Sequence, residues 1–178
     1  MSAVGEATLT KTDAGLVPDG EGWFVLNARD AAWWRSDELG QATTFEGTPR
    51  FAELGFHVEV LLPGQPNCMY HGESDQEDFL VVAGECIVVL EGEERQLKAW
   101  DFVHCPPWAE HVFVGAGDGP CTIVMVGRRT PEGGIVYPVN EVAAKHGASV
   151  GTETRDGKEA YSRFLQPERT AYREGWLP

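Results

Sequence analysis

The sequence predicts an all-β fold, a sandwich or barrel of short strands, and three observations predict it. Twenty-one glycines and eleven prolines punctuate short apolar runs, the texture of strands separated by turns. From Phe51 to Gly127 the turn signals recur about every 8–12 residues, a rhythm that fits a sandwich or barrel. That rhythm leaves no room for the crossover helices that parallel strands require.

The elements follow in order. Residues 1–22 are polar and glycine-rich and are expected to form a flexible N-terminal segment. Residues 23–135 are read as the barrel with a packing arm. The arm carries Trp23, Phe24, Trp33 and Trp34, too much aromatic surface to leave in water, so it is expected to pack on the barrel. Phe56, Val58, Val60 and Leu62 alternate with His57, Glu59 and Leu61 before Pro63-Gly64 stops the strand. Apolar runs then cover residues 79–82, 86–90, 102–105, 111–114 and 121–126, and the turn Glu91-Gly92-Glu93-Glu94 leads from the second of them into Arg95 to Leu97. Residues 136–178 are read as a short helix and a wrapping tail. Asn140 caps the helix, Val142-Ala143-Ala144 propagate it, Lys145 and His146 suit its negative end and Gly147 stops it. Tyr161, Phe164, Tyr172 and Trp176 are spaced along the tail.

Charge excludes several functions. Fourteen Lys and Arg face 28 Asp and Glu, a formal net charge of −14. Such a surface cannot gather counterion-release energy from a polyanion, which argues against nucleic acid and anionic membrane as partners. The longest apolar stretches, such as residues 87–90 and 123–126, fall far below the ~20 residues of a membrane helix. Residues 1–22 have no apolar core, so no secretory signal is read there. Cys68, Cys86, Cys105 and Cys121 form no Cys-x-x-Cys pair and read as reduced thiols; the expected location is the cytoplasm. No serine sits in a Gly-x-Ser-x-Gly elbow and no glycine-rich phosphate loop occurs.

One constellation carries chemistry. His71 and Glu73 are two apart, so on an extended strand they share a face. Glu77 follows across the bend Ser74-Asp75-Gln76 and opens an apolar run; His111 starts another strand after Pro106-Pro107. Two imidazoles and two carboxylates meeting in a barrel would suit a divalent metal, because the carboxylates offset its charge and neutral imidazoles give directional nitrogens. Without a cation, two buried carboxylates conflict and one tends to protonate.

The stretch Gly64-Gln-Pro-Asn-Cys-Met-Tyr-His71-Gly-Glu73-Ser-Asp-Gln-Glu77-Asp-Phe-Leu-Val-Val-Ala-Gly84 resembles the first motif of the cupin superfamily, and Trp100-Asp-Phe-Val-His-Cys-Pro106-Pro-Trp-Ala-Glu-His111 resembles the second. The resemblance covers roughly residues 50–128 and looks like a small single-domain microbial cupin. It implies a double-stranded β-helix (jelly-roll) barrel, with the N-terminal arm and the C-terminal helix and tail outside it. It also implies a metal held by His71, Glu77 and His111, with Glu73 standing where the family has a second histidine. Gly64 lies one residue farther from His71 than the motif asks, Trp100 and Trp108 replace motif glycines, and Gly115 replaces an asparagine. A bulky residue tolerates positive φ poorly, so the Trp108 turn is expected to change shape, with the indole over the pocket mouth. The two-His, two-carboxylate set is harder than three-His, one-Glu, which favours Fe, Mn or Zn over copper.

Several residues are expected around such a pocket. Trp100, Phe102, Trp108 and Phe113 are candidate aromatic walls. His104 is a candidate behind the ligands, while Cys105 on the opposite face fills the core. His57 and Glu59 share a strand face and would bind substrate if that face is the lumen, or make a solvated face or an oligomer contact if it is not. The leading expectation is an enzyme acting on a small molecule with one divalent transition metal, of oxygenase, isomerase or decarboxylase type. The alternatives are a ligand-binding or sensing protein with a structural metal, and a metal-free sugar-modifying enzyme using His71 and a carboxylate as acid and base. A homodimer through edge strands is expected.

Overall fold

The computed structural model describes residues 3–178. Strands β1 (Thr8–Thr12) and β2 (Gly15–Asp19) come first, then β3 (Ala32–Ser36), β4 (Gly40–Thr43) and β5 (Leu54–Leu61). The central block holds β6 (Gly72–Glu73), β7 (Glu77–Ala83), β8 (Glu85–Leu90), β9 (Glu93–Lys98), β10 (Phe102–Cys105), β11 (His111–Ala116) and β12 (Cys121–Arg128). After β13 (Ile135–Val136) come helices α1 (Glu141–Lys145) and α2 (Gly157–Ala160) and strand β14 (Glu168–Ala171).

A seven-stranded sheet runs β10-β7-β12-β5-β4-β3-β14 and faces a three-stranded sheet β11-β8-β9. Every strand pair within the sheets is antiparallel. The two layers form a jelly roll in which neither sheet closes on itself. Alternation explains the core between them: Leu61 of β5, Phe79 and Val81 of β7, Val88 of β8, Phe113 of β11 and Ile123 and Met125 of β12 all point inward and are buried. Strand β10 contributes Val103 and Cys105 to the same core. The sharp reversal from β7 to β8 needs Gly84, whose φ is 74° and where a Cβ would lie 2.3 Å from the Pro120 carbonyl oxygen.

The segments outside the central block extend this frame. Residues 8–19, within the stretch expected to be flexible, form a β-hairpin, and Leu16 and Asp19 bridge to Ala31 and Thr48. The aromatic arm becomes β3 and β4, which continue the large sheet beyond β5, and the tail becomes its last strand through β14. Trp33 is fully buried on the outer face with Val58 and Val60, against Tyr172 and Trp176 of the tail. Arg129, after β12, reaches back to Glu46 at 2.5 Å and to the Phe51 carbonyl at 2.8 Å, and so ties the arm to the barrel.

Helix α1 forms where its capping signals lie. The Asn140 side-chain oxygen accepts from the backbone N–H of Val142 and Ala143, both at 2.9 Å, and Gly147 follows with φ 69°. Its Ala143 packs with Tyr70, Val89 and Val112 on the outside of the three-stranded sheet, the side opposite His111 and Phe113.

Candidate metal centre

His71 and His111 face one another across an isolated antiparallel bridge, each backbone N–H donating to the other's carbonyl at 3.1 and 2.8 Å. A directly opposed pair puts both side chains on one face. Both point inward, with ring centroids 4.8 Å apart. Glu77 enters the same space from the start of β7. One ligand atom each from His71, Glu77 and His111 lies within 4.8 Å of the others.

The tautomers follow from the backbone. His71 Nδ1 lies 2.8 Å from the Met69 carbonyl and His111 Nδ1 lies 3.0 Å from the Ala109 carbonyl. A carbonyl only accepts, so each Nδ1 carries the hydrogen and each Nε2 turns its lone pair toward the carboxylates. His111 Nε2 is 3.4 Å from Glu77 Oε2 and His71 Nε2 is 3.6 Å from Glu73 Oε1. These donors fit a divalent ion of the first transition row: two lone-pair nitrogens and a carboxylate that needs a counter-charge. Glu73 lies at the rim, its side chain 37% exposed against 17% for Glu77.

The electrostatics carry the same strain. Burial, then the nearby Glu73, pushes the Glu77 carboxyl up to about 7. Burial, then the neighbouring His71, brings His111 down to about 4. For His71 burial opposes the charged form, but Cys68, Glu73 and Glu77 favour it more strongly, and the net direction is upward. The neighbouring His71 imidazole holds Glu73 below the usual carboxylate range against the opposing effect of burial. The cluster attracts positive charge, whether a proton or a metal ion.

The family model for the cupin domain matches residues 57–127, which contain all four of these residues. Residues 57–127 of the chain are thus a cupin domain. The polyketide cyclase RemF from Streptomyces resistomycificus is similar in structure with a TM-score of 0.53 and 17% identity, over 62% of this chain and 83% of that one. A Cupin 2 conserved barrel domain protein from Salinispora arenicola is similar with a TM-score of 0.50 and 22% identity, over 62% and 92%. A sugar phosphate isomerase from Silicibacter pomeroyi has a TM-score of 0.45 and 27% identity; the match covers 48% of this chain and 56% of that one, little more than half its length. No curated protein matches the sequence.

The cupin barrel sorts the remaining candidates. Phe113 points inward and packs against Phe79, the rings tilted with centroids 4.6 Å apart, beside His111. His57 and Glu59 also point inward, so their strand face is the lumen; His57 Nε2 lies 3.2 Å from Met125 Sδ. Phe102 and His104 are corrected to the outside. Val103 and Cys105 set the inward parity of β10, leaving Phe102 62% exposed and His104 paired with Asp78 at 2.7 Å. Trp100 is likewise an outer residue, 75% exposed. The Trp108 indole rests on Gly134 with the Arg155 guanidinium 5.7 Å from the ring centroid.

The turns at both tryptophans keep the left-handed backbone of the glycines they replace, with φ of 76° at Trp100 and 70° at Trp108, at Trp108 contrary to the expected change of shape. Backbone hydrogen bonds hold them there, from Trp100 N–H to the Val81 carbonyl and from Trp108 N–H to the Glu73 carbonyl. Sequence reasoning passed over Asn67. Its side-chain oxygen accepts from the Phe113 N–H at 2.8 Å and from the Cys68 thiol at 3.2 Å, bracing the ligand strand. Its place just after Pro66 and four residues before His71 was the only available signal.

Proposed function

We propose that the protein is a metal-dependent cupin enzyme acting on a small molecule, with one Fe, Mn or Zn ion held by His71, Glu77 and His111. The observation that carries this reading is the pair of Nε2 lone pairs turned toward the carboxylates of Glu77 and Glu73, their tautomers set by the Met69 and Ala109 carbonyls, with ligand atoms of His71, Glu77 and His111 within 4.8 Å of one another. When bound, such an ion supplies a Lewis acid that polarises an oxygen of the substrate.

The chain's own residues divide the remaining work. The Met69 and Ala109 carbonyls hold the two rings in position. Phe79 and Phe113 exclude water beside His111. Glu73, on the rim and the more exposed carboxylate, takes a proton from the substrate or returns one through Oε1. We place the protein in the cytoplasm as a homodimer, the second of which light scattering tests; a monomer at micromolar concentration removes it.

Elemental analysis of protein purified without an affinity tag tests the centre. The expected result is near-stoichiometric transition metal in the wild type, lost in the His71→Ala, His111→Ala double variant. Equal and negligible metal in both folded proteins overturns the reading.

A further inference from the structure

Glu59 is a second polar station in the barrel, separate from the four residues at the mouth. It is 6% exposed, and among the described residues its carboxyl has neither a hydrogen-bond partner nor an ion-pair partner. A buried carboxyl in that state is costly unless something from outside completes it. The room for a visitor exists. A cavity of about 160 Å³ opens on the flank of the barrel, walled by Trp34, Leu39, Ala42 and Pro167, with Ser36 and Asn67 as polar neighbours.

The fold aims Glu59 at this space. Across the large sheet Trp34 pairs with Ala42 and Ala42 with Glu59, so the three side chains share the inner face. Next to them Gly40, with φ 85°, leaves the room that a Cβ would take 2.9 Å from Glu59 Oε1. We propose that the flank cavity binds a small organic molecule through a protonated amine, with the Glu59 carboxylate as its anchor.

The lining selects that class. Among the described residues no Lys, Arg or His lines the cavity, so a carboxylate or phosphate would find no counter-charge there. The surrounding charge of −14 favours cations at longer range. An ammonium donor restores the counter-charge and the hydrogen bond together, which an alcohol of the same shape does only in part. The cavity volume restricts the ligand, or the part of it that enters, to a few non-hydrogen atoms.

Thermal shift and calorimetry with n-propylammonium chloride, n-propanol and sodium propionate, in an amine-free phosphate buffer, test the proposal. The wild type is expected to show saturable binding of propylammonium and none of propionate, with propanol weaker. Glu59→Gln keeps the shape and is expected to bind propylammonium about tenfold to a hundredfold less tightly. Ala42→Leu, which fills the cavity from the opposing strand, should abolish binding while leaving Glu59 in place. The His71→Ala, His111→Ala variant should bind propylammonium as the wild type does, so failure of the metal reading and failure of this one are told apart. Absence of saturable binding by the wild type overturns the proposal, as does propanol binding equal to propylammonium. Equal binding by Glu59→Gln, or loss of binding in the double histidine variant, overturns it too.

Discussion

Glu59→Gln is predicted to stabilise the protein, and by more as the pH rises. Burial alone raises the Glu59 carboxyl well above its ordinary 4.5, and no charged group opposes or assists it. Between 4.5 and the folded-state value the native protein holds a proton that the unfolded chain has released. More protons bound to the native state means that stability falls as pH rises through that window. Glutamine has nearly the same shape and no proton to hold, so this loss vanishes. The gain over the wild type is about 1.4 kcal/mol for each pH unit inside the window. In a chain of this size that is about 3–5 °C in Tm per unit. Urea denaturation of both proteins from about pH 5 to about pH 8 measures it. Glu77, pushed up to about 7, contributes to the slope of each protein, so the difference between the two curves isolates Glu59. Curves that stay parallel across the range would refute the reasoning, because they would mean that Glu59 ionises normally in the folded state.

Three further outcomes follow from the packing. Arg129→Ala leaves the Glu46 carboxylate, whose side chain is 6% exposed, without its charged partner and with only the Phe51 N–H to donate to it, and should cost about 3 kcal/mol in urea denaturation. His104→Ala should leave metal content and stability close to wild type, within about 0.5 kcal/mol, because its ring and Asp78 pair on the outer surface; metal loss in that variant would contradict the outward parity of β10. Asn140→Ala removes the acceptor for two N–H groups of α1 and should cost about 1 kcal/mol by thermal denaturation, with metal content unchanged.

The strand pattern of residues 51–127 was legible because alternation and turn chemistry are local. Residues 102–105 were read as the strand that forms, and Asn140 to Gly147 announced α1 through capping alone. The residue types of the metal centre were legible for the same reason, since His71, Glu73 and Glu77 lie in one short stretch.

What alternation could not decide is which parity of a strand faces in. That choice depends on what packs above it, and so Phe102 and His104 went outside while Val103 and Cys105 went in. Strands β4 and β14 escaped notice because they mix Gln, Thr, Glu and Arg with few apolar residues, and β3 because Ala32-Trp33-Trp34 shows no alternation; they hold as strands through ladder bonds to β5 and to each other. The tautomers of His71 and His111 rest on backbone carbonyls, which leave no trace in residue identity. The sequence by itself determined the β texture, the acidic charge and the candidate ligands, since each resides in single residues or near neighbours. Only the tertiary structure decided that His71 and His111 stand opposite one another and that Glu59 faces an open flank. Both depend on pairing between strands distant along the chain, where burial and hydrogen bonding are settled together.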